Sequence, residues 1–217
     1  MRRIQAGVAL ALLVVVAGCG GVPPVTGDAT GGVTPVTSDA ASAGPPAETT
    51  AVTVTAVVDG DTVRIEYGDG TQDTVRLIGV DTPEVNAEND PAEFEGVPDT
   101  EAGADCLREA GMNATNIAKT ALLGETVGIA TDPNLDRRGY YDRLLAYVVV
   151  DGRLFNYRLV ADGHARVYDS DFTRHGNFTD AETAAREQRR GLWRCVDDGS
   201  DRQSSVRSRS VVRERAY

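Results

Sequence analysis

The chain has 217 residues, with 33 acidic side chains against 22 basic ones and a formal net charge of −11. That length and an apolar content of 41% suffice for one packed domain with tails, which excludes wholesale disorder, and no apolar run reaches the roughly 20 residues of a bilayer span. Three cysteines are too few for a disulfide scaffold, and with Lys119 as its only lysine the acidic chain reads as a soluble protein adapted to high salt, where screening removes self-repulsion.

Arg2 and Arg3 precede a short apolar stretch, Ile4 to Ala17, that runs into Gly18 and Cys19. A basic start, a short apolar centre and small residues before a cysteine resemble a lipoprotein signal spanning residues 1–18, in which Cys19 is diacylated and becomes the mature N-terminus. A plain secretory signal is the alternative. Two acyl chains give stable anchoring, so the protein is expected to be exported and held on the outer face of the cell membrane. Residues 19–50 are rich in Gly, Pro, Thr, Ala and Ser and read as a flexible tether. Residues 51–196 form the expected folded domain. The polar segment 197–217 reads as a disordered tail, with a nucleic-acid-binding arm through Arg202, Arg207 and Arg209 as the alternative.

Within the domain, alternation at Val52, Val54, Ala56 and Val58 predicts a first strand, and Asp59-Gly60 a tight turn. Thr62 to Tyr67 predicts a second strand and Thr74 to Val80 a third, joined through Gly68-Asp69-Gly70. Asp81 to Asp105 reads as a long acidic loop. A helix is expected from Thr100, as N-cap, to Leu123, and Gly124 stops it. Strands are predicted over Thr126 to Ala130 and Arg143 to Val150, and a short helix over Leu154 to Ala161. The capping box Thr179-Asp180-Ala181-Glu182 is expected to open a last helix that ends at Gly191. This order predicts a mainly β, α+β fold: a five-stranded barrel of OB type with about three appended helices.

Three segments put charge where packing wants none. Asp61, in Val58-Asp59-Gly60-Asp61-Thr62-Val63, has the parity of Val63 and Ile65 and points to the buried face. Arg76 sits in the third strand, on the expected face of Ile78 and Val80, and Asp81, Thr82 and Glu84 follow at its exit. Arg143 stands at the entry of a buried strand. Each alone fits a turn or an ion pair. Together, two carboxylates offer oxygen ligands to a hard cation, a third offers a base, and two guanidiniums grip a phosphate. Those are the parts needed for phosphodiester hydrolysis.

These segments resemble the staphylococcal nuclease, or thermonuclease, family. The matching motifs are Val58 to Val63, Arg76-Leu77 with Val80-Asp81-Thr82-Pro83-Glu84, and Tyr141-Asp142-Arg143-Leu144-Leu145-Ala146-Tyr147. Asn156-Tyr157-Arg158-Leu159-Val160 with Gly163, Ala165 and Val167, and the ending Gly191-Leu192-Trp193, extend the likeness, which covers about Val52 to Cys195. The resemblance implies an OB-fold, Ca²⁺-dependent nuclease acting on DNA and RNA and leaving 3′-phosphates, and the protein is expected to be a monomer. It implies Asp61, Asp81 and the Thr82 carbonyl as calcium ligands and Glu84 as general base. Arg76 and Arg143 would bind phosphate, and Tyr141 and Tyr168 would lie near the nucleotide. Asp142 departs from a glycine common in the family and is expected to put a negative charge beside Arg143. A non-catalytic OB module that binds nucleic acid or protein is the alternative, as is a structural lipoprotein, which leaves the five charged site residues unexplained.

Cys106 lies early in the first predicted helix and Cys195 just past the last. Export brings an oxidising environment, so the two are expected to pair, with two separate buried thiols as the alternative.

Overall fold

In a computed structural model, which describes residues 44–196, the valine–threonine alternation of β1 (Thr50–Val57) turns Val52 and Val54 inward and Thr53 and Thr55 outward. The expected signal at 1–18, Cys19, most of the tether and the tail 197–217 lie outside the described residues. β2 (Thr62–Glu66) folds back on β1, and β3 (Gln72–Leu77) on β2, all antiparallel. β5 (Thr126–Ala130) pairs with the other edge of β1, and β6 (Leu144–Val150) with β5. A parallel pairing of β3 with β6, which sets Arg76 opposite Leu145, then closes a five-stranded barrel. Closure removes the open edges that a sheet would otherwise leave. Val54, Val63, Ile65, Val75, Leu77 and Val148 fill the interior.

The expected third strand is shorter than its sequence implied. It ends at Leu77 because Gly79 takes φ 73°, a conformation that breaks extended pairing and leaves room for the Phe172 ring. The chain resumes as β4 (Val80–Asp81), which pairs antiparallel with β8 (Arg166–Val167). Parity therefore does not carry from Arg76 to Ile78 and Val80, and Arg76 lies on the face opposite Val75 and Leu77. β7 (Arg153–Leu154) turns back and pairs antiparallel with the end of β6.

α1 (Glu101–Leu122) begins at Thr100, whose hydroxyl accepts from Gly103 N at 3.2 Å. Its buried residues Leu107, Gly111, Ala114, Ala118 and Leu122 recur at three- or four-residue spacing. α2 (Phe155–Ala161) is pinned by Asn156, wholly buried, whose amide accepts from Val148 N at 2.8 Å and donates to Ile78 O at 3.0 Å. α3 spans His175–Glu187 and starts one turn before the expected capping box. Burial of Phe178, edge-to-face with Phe172 at 5.1 Å, draws that turn into the helix. Thr179 donates to His175 O at 3.0 Å, and Glu182 accepts from Val167 N at 3.0 Å, so neither serves as a cap.

The acidic segment after β4 is partly ordered by burial: a 3₁₀ turn at Pro91–Glu93 leads into Phe94, which is 3% exposed. Phe94, Val97, Leu107, Ala185, Leu192 and Trp193 make a second apolar cluster outside the barrel, and Cys106 is bonded to Cys195 at its edge. Among the described residues no helix is long and apolar enough to cross a membrane.

Candidate active site

Asp61 stands at the mouth of β2 and is 1% exposed. A carboxylate so buried needs partners, and it has four. Its Oδ2 accepts from Thr82 N at 2.8 Å and Thr82 Oγ1 at 3.0 Å. Its Oδ1 accepts from Thr62 Oγ1 at 3.1 Å and pairs with the Arg76 guanidinium. The other end of that guanidinium holds Asp81 Oδ1 at 2.6 Å, so Arg76 bridges the two carboxylates. Asp81 Oδ2 is taken by Arg166 at 2.7 Å. The turn between β1 and β2 thus meets β4 across Arg76, and Leu77 N, donating to Asp61 O at 2.9 Å, fixes the crossing.

Thr82, Pro83 and Glu84 leave β4 and pass beneath α1. A Cβ added at Gly111 would overlap the Pro83 carbonyl, and one at Gly60 would meet Thr82 and Ala114. These two glycines let helix, turn and loop close on one another. The main chain of Glu84 is clamped by Asn89, which accepts from its N–H at 2.7 Å and donates to its carbonyl at 2.9 Å. The Glu84 carboxyl reaches the surface, and its pKa is raised, first by partial burial and then by Asp59 and Asp81. Burial likewise raises Asp59, against the pull of Arg76.

Arg143 enters from the loop before β6. Its Nε donates to Tyr140 O at 3.2 Å, and its guanidinium lies 5.7 Å from the centre of the Tyr141 ring. Tyr141 and Asp142 both take positive φ, 59° and 58°, and Tyr141 is 93% exposed. Asp142 does not simply load charge onto Arg143. Its carboxylate lies 3.6 Å from Arg138 Nε, and its carbonyl accepts from Arg138 at 2.6 Å.

Two clefts flank the pair of carboxylates. One, of about 450 Å³, is bordered by Asp81, Thr82, Glu84, Arg166 and Tyr168. The other, of about 320 Å³, is bordered by Arg76, Tyr140, Arg143 and Tyr168. Asp61, Arg76, Asp81, Thr82, Glu84, Arg143 and Tyr168 are therefore brought to one mouth of the barrel. Tyr141 projects from its rim, and Cys106 and Cys195 lie in the separate cluster.

The donor set is all oxygen, and Asp61 and Asp81 already converge on one positive charge, which fits a hard cation. Among the described residues no group of three or more acidic, His or Cys side chains is arranged to hold a metal. The chain itself would thus contribute the two carboxylates. Sequence reasoning passed over Arg166, because a lone arginine in a two-residue strand carries no motif. It also gave Asp59 no role, although Asp-Gly-Asp places it two residues from Asp61.

A family described as Staphylococcal nuclease homologue matches residues 74–195. The chain is 39% identical over 147 residues to an uncharacterized protein of Methanocaldococcus jannaschii, covering 64% of this chain and 70% of that protein. It is 32% identical to the SPbeta prophage-derived endonuclease YokF of Bacillus subtilis, covering 67% of this chain but only 45% of the relative. It is 30% identical to the thermonuclease of Staphylococcus hyicus, covering 64% and 73%. The barrel closed by β3 and β6, its mouth of paired carboxylates and arginines, and these matches lead to one assignment: the chain belongs to the staphylococcal nuclease homologue family.

Proposed function

We propose that the protein is a Ca²⁺-dependent nuclease that hydrolyses phosphodiester bonds of DNA and RNA outside the cytoplasm. The observation that carries this reading is the convergence of Asp61 and Asp81 on the Arg76 guanidinium, with Glu84 and Arg143 at the same mouth. Asp61, Asp81 and the Thr82 carbonyl would hold calcium, which when bound supplies positive charge to a phosphate oxygen. Glu84 takes a proton from the attacking water, and its raised pKa makes it a better acceptor than an ordinary carboxylate. With Asp61 and Asp81 engaged as ligands, Arg76 would be released toward the phosphate, where it and Arg143 would donate to oxygens that gain charge in the transition state. The 5′ oxygen leaves, and the product carries a 3′-phosphate. Tyr168 lies between the two clefts, and Tyr141 beside Arg143, where both flank a nucleotide.

The same proposal assigns residues 1–18 to a lipoprotein signal and Cys19 to a lipid anchor. The protein would act as a monomer on the outer face of the membrane. Its acidic surface and near absence of lysine suit high salt, where counterion release contributes little and local arginine contacts carry more of the binding.

The deciding experiment incubates the protein with DNA and with RNA, with Ca²⁺ or with chelator, across a salt series. Cleavage of both that chelation abolishes is expected, and Mg²⁺ should support less because it demands stricter octahedral geometry. Binding without cleavage would leave the non-catalytic OB module as the reading.

A further inference from the structure

Asp81 has two guanidinium partners, and the proposed reaction sends one of them away. If Arg76 leaves Asp81 for the phosphate, something else must keep this carboxylate facing Asp61. We infer that Arg166 is a positioning residue for Asp81, one that holds its side chain in the cation-binding orientation. This inference rests on the calcium reading above and goes beyond it by naming a residue to which the resemblance gives no role.

The geometry is specific. Arg166 stands directly opposite Asp81 in the β4–β8 ladder, so the backbone itself registers the pair. Its Nη2 lies 2.7 Å from Asp81 Oδ2, while Arg76 takes Oδ1. Each oxygen of Asp81 therefore has its own guanidinium, and loss of Arg76 leaves the Oδ2 contact in place. Arg166 is itself fixed from several sides. Its guanidinium lies 5.3 Å from the Phe94 ring centre, and its Nη2 is 3.4 Å from Glu93 Oε2. Glu182 binds the adjacent Val167 N–H at 3.0 Å, and Tyr168 N donates to Gly79 O at 3.2 Å, so β8 is held on both flanks. The Arg166 side chain is only 23% exposed, and its Nε is buried without a partner. A buried donor left unpaired is costly, and the contacts that offset it here run through Nη2.

Two effects of Arg166 on a cation oppose each other. Its charge repels the ion, and its hydrogen bond orients the ligand. Orientation wins here, because the carboxylates of Asp59, Asp61, Asp81 and Glu84 already outnumber the guanidiniums of Arg76, Arg143 and Arg166 at this mouth. Residues that orient a metal ligand commonly change affinity by about 10–100-fold when lost.

The test is calorimetric titration of the full-length protein with Ca²⁺ alone, read beside thermal unfolding. Arg166→Met keeps the aliphatic stem and removes the fork. It should raise the Ca²⁺ dissociation constant by about tenfold or more. Arg166→Lys keeps the charge and one donor, and should recover part of that loss. A packing role alone would lower the melting temperature of both variants without ordering their Ca²⁺ affinities in this way. If Arg166→Met unfolds, Phe94→Leu replaces it, since this removes the ring beneath the guanidinium at similar volume, and a several-fold weaker Ca²⁺ affinity is expected. Unchanged or tighter Ca²⁺ binding in a folded Arg166→Met, or in Phe94→Leu where that replaces it, overturns the inference alone. A wild-type protein that binds no Ca²⁺ overturns the calcium reading and the inference together.

Discussion

Glu84 sits where like charges crowd. Asp59 and Asp81 add to the effect of partial burial, and all three hold its proton more tightly than water would. Asn89 fixes the backbone on both sides of the carboxyl, so the side chain swings from a rigid root. Glu84→Gln keeps the shape and removes the proton acceptor. It should lower kcat by about 10²–10⁴-fold while nucleic-acid affinity, followed by fluorescence anisotropy, changes little. Asp132 is a different case, structural rather than chemical. It is 3% exposed and accepts from Tyr147 at 2.6 Å, from the Thr173 hydroxyl at 2.6 Å and from Asn134 N at 2.9 Å. Burial alone would raise its pKa, but the donors from Thr173, Tyr147 and Asn134 outweigh burial and leave it lowered from the ordinary 3.8. Its stabilising contribution is therefore complete above the unfolded-state pKa near 3.8 and is lost as pH falls through the lower folded value. Asp132→Asn should cost about 1–3 kcal/mol at pH 7, with a smaller difference from wild type at pH 3, in urea unfolding at the two pH values.

At the scale of elements, α1 is the rear wall of the site. Gly111 lies in its interior, where exchanging glycine for alanine in an exposed helix would gain about 0.5–1 kcal/mol. Here the added methyl would strike the Pro83 carbonyl, one residue before Glu84. Gly111→Ala should reverse the usual sign, with stability lower by about 1–3 kcal/mol and kcat lower by at least tenfold. Chemical unfolding and single-turnover cleavage check the two parts. The helix itself was legible, because Thr100, the spaced apolar residues and Gly124 state its start, face and end. The barrel strands were legible too, since their alternation has a period of two and their turns carry glycine. What could not be read was set by distant partners. β3 stops early because Gly79 yields to the Phe172 ring, and α3 starts early because Phe178 packs on that same ring. Five of the site positions, Asp61, Arg76, Asp81, Glu84 and Arg143, stand out in the sequence as charge placed against packing, whereas Thr82, Tyr141 and Tyr168 came only with the family resemblance. Arg166 could not be found either way, because its meaning lies in a ladder between residues 85 apart in sequence, which no local pattern encodes.

Among the described residues, two cores share α1. The barrel buries one face of the helix near Ala118 and Leu122, and the second cluster buries Leu107 near its start. That second cluster gathers the acidic loop through Phe94 and Val97, α3 through Ala185, and the 3₁₀ turn Gly191–Cys195 through Leu192 and Trp193. Arg186 reinforces it, with its guanidinium 4.5 Å from the Trp193 ring centre and a 2.7 Å pair to Glu95. The Cys106–Cys195 bond spans a sequence separation of 89 and ties these parts together. In the chain-entropy view a loop of that size is worth about 4–5 kcal/mol, and measured values commonly fall nearer 2–4 kcal/mol. The consequence reaches the active site, because Phe94 belongs to this cluster and also lies against Arg166, which holds Asp81. With the bond reduced, the smaller core should loosen first, since it has fewer buried side chains than the barrel, and local opening follows the weakest packing. Cys106→Ala combined with Cys195→Ala should therefore lower unfolding free energy by about 2–4 kcal/mol. In the same variant, activity should be lost at lower guanidinium concentrations than barrel structure, whereas in the oxidised protein the two should fall together. Cleavage rate and far-UV circular dichroism, recorded along one denaturant series, separate the cases. Coincident curves in both proteins would mean that the bond stabilises the fold as a whole and does not act through Phe94 and Arg166.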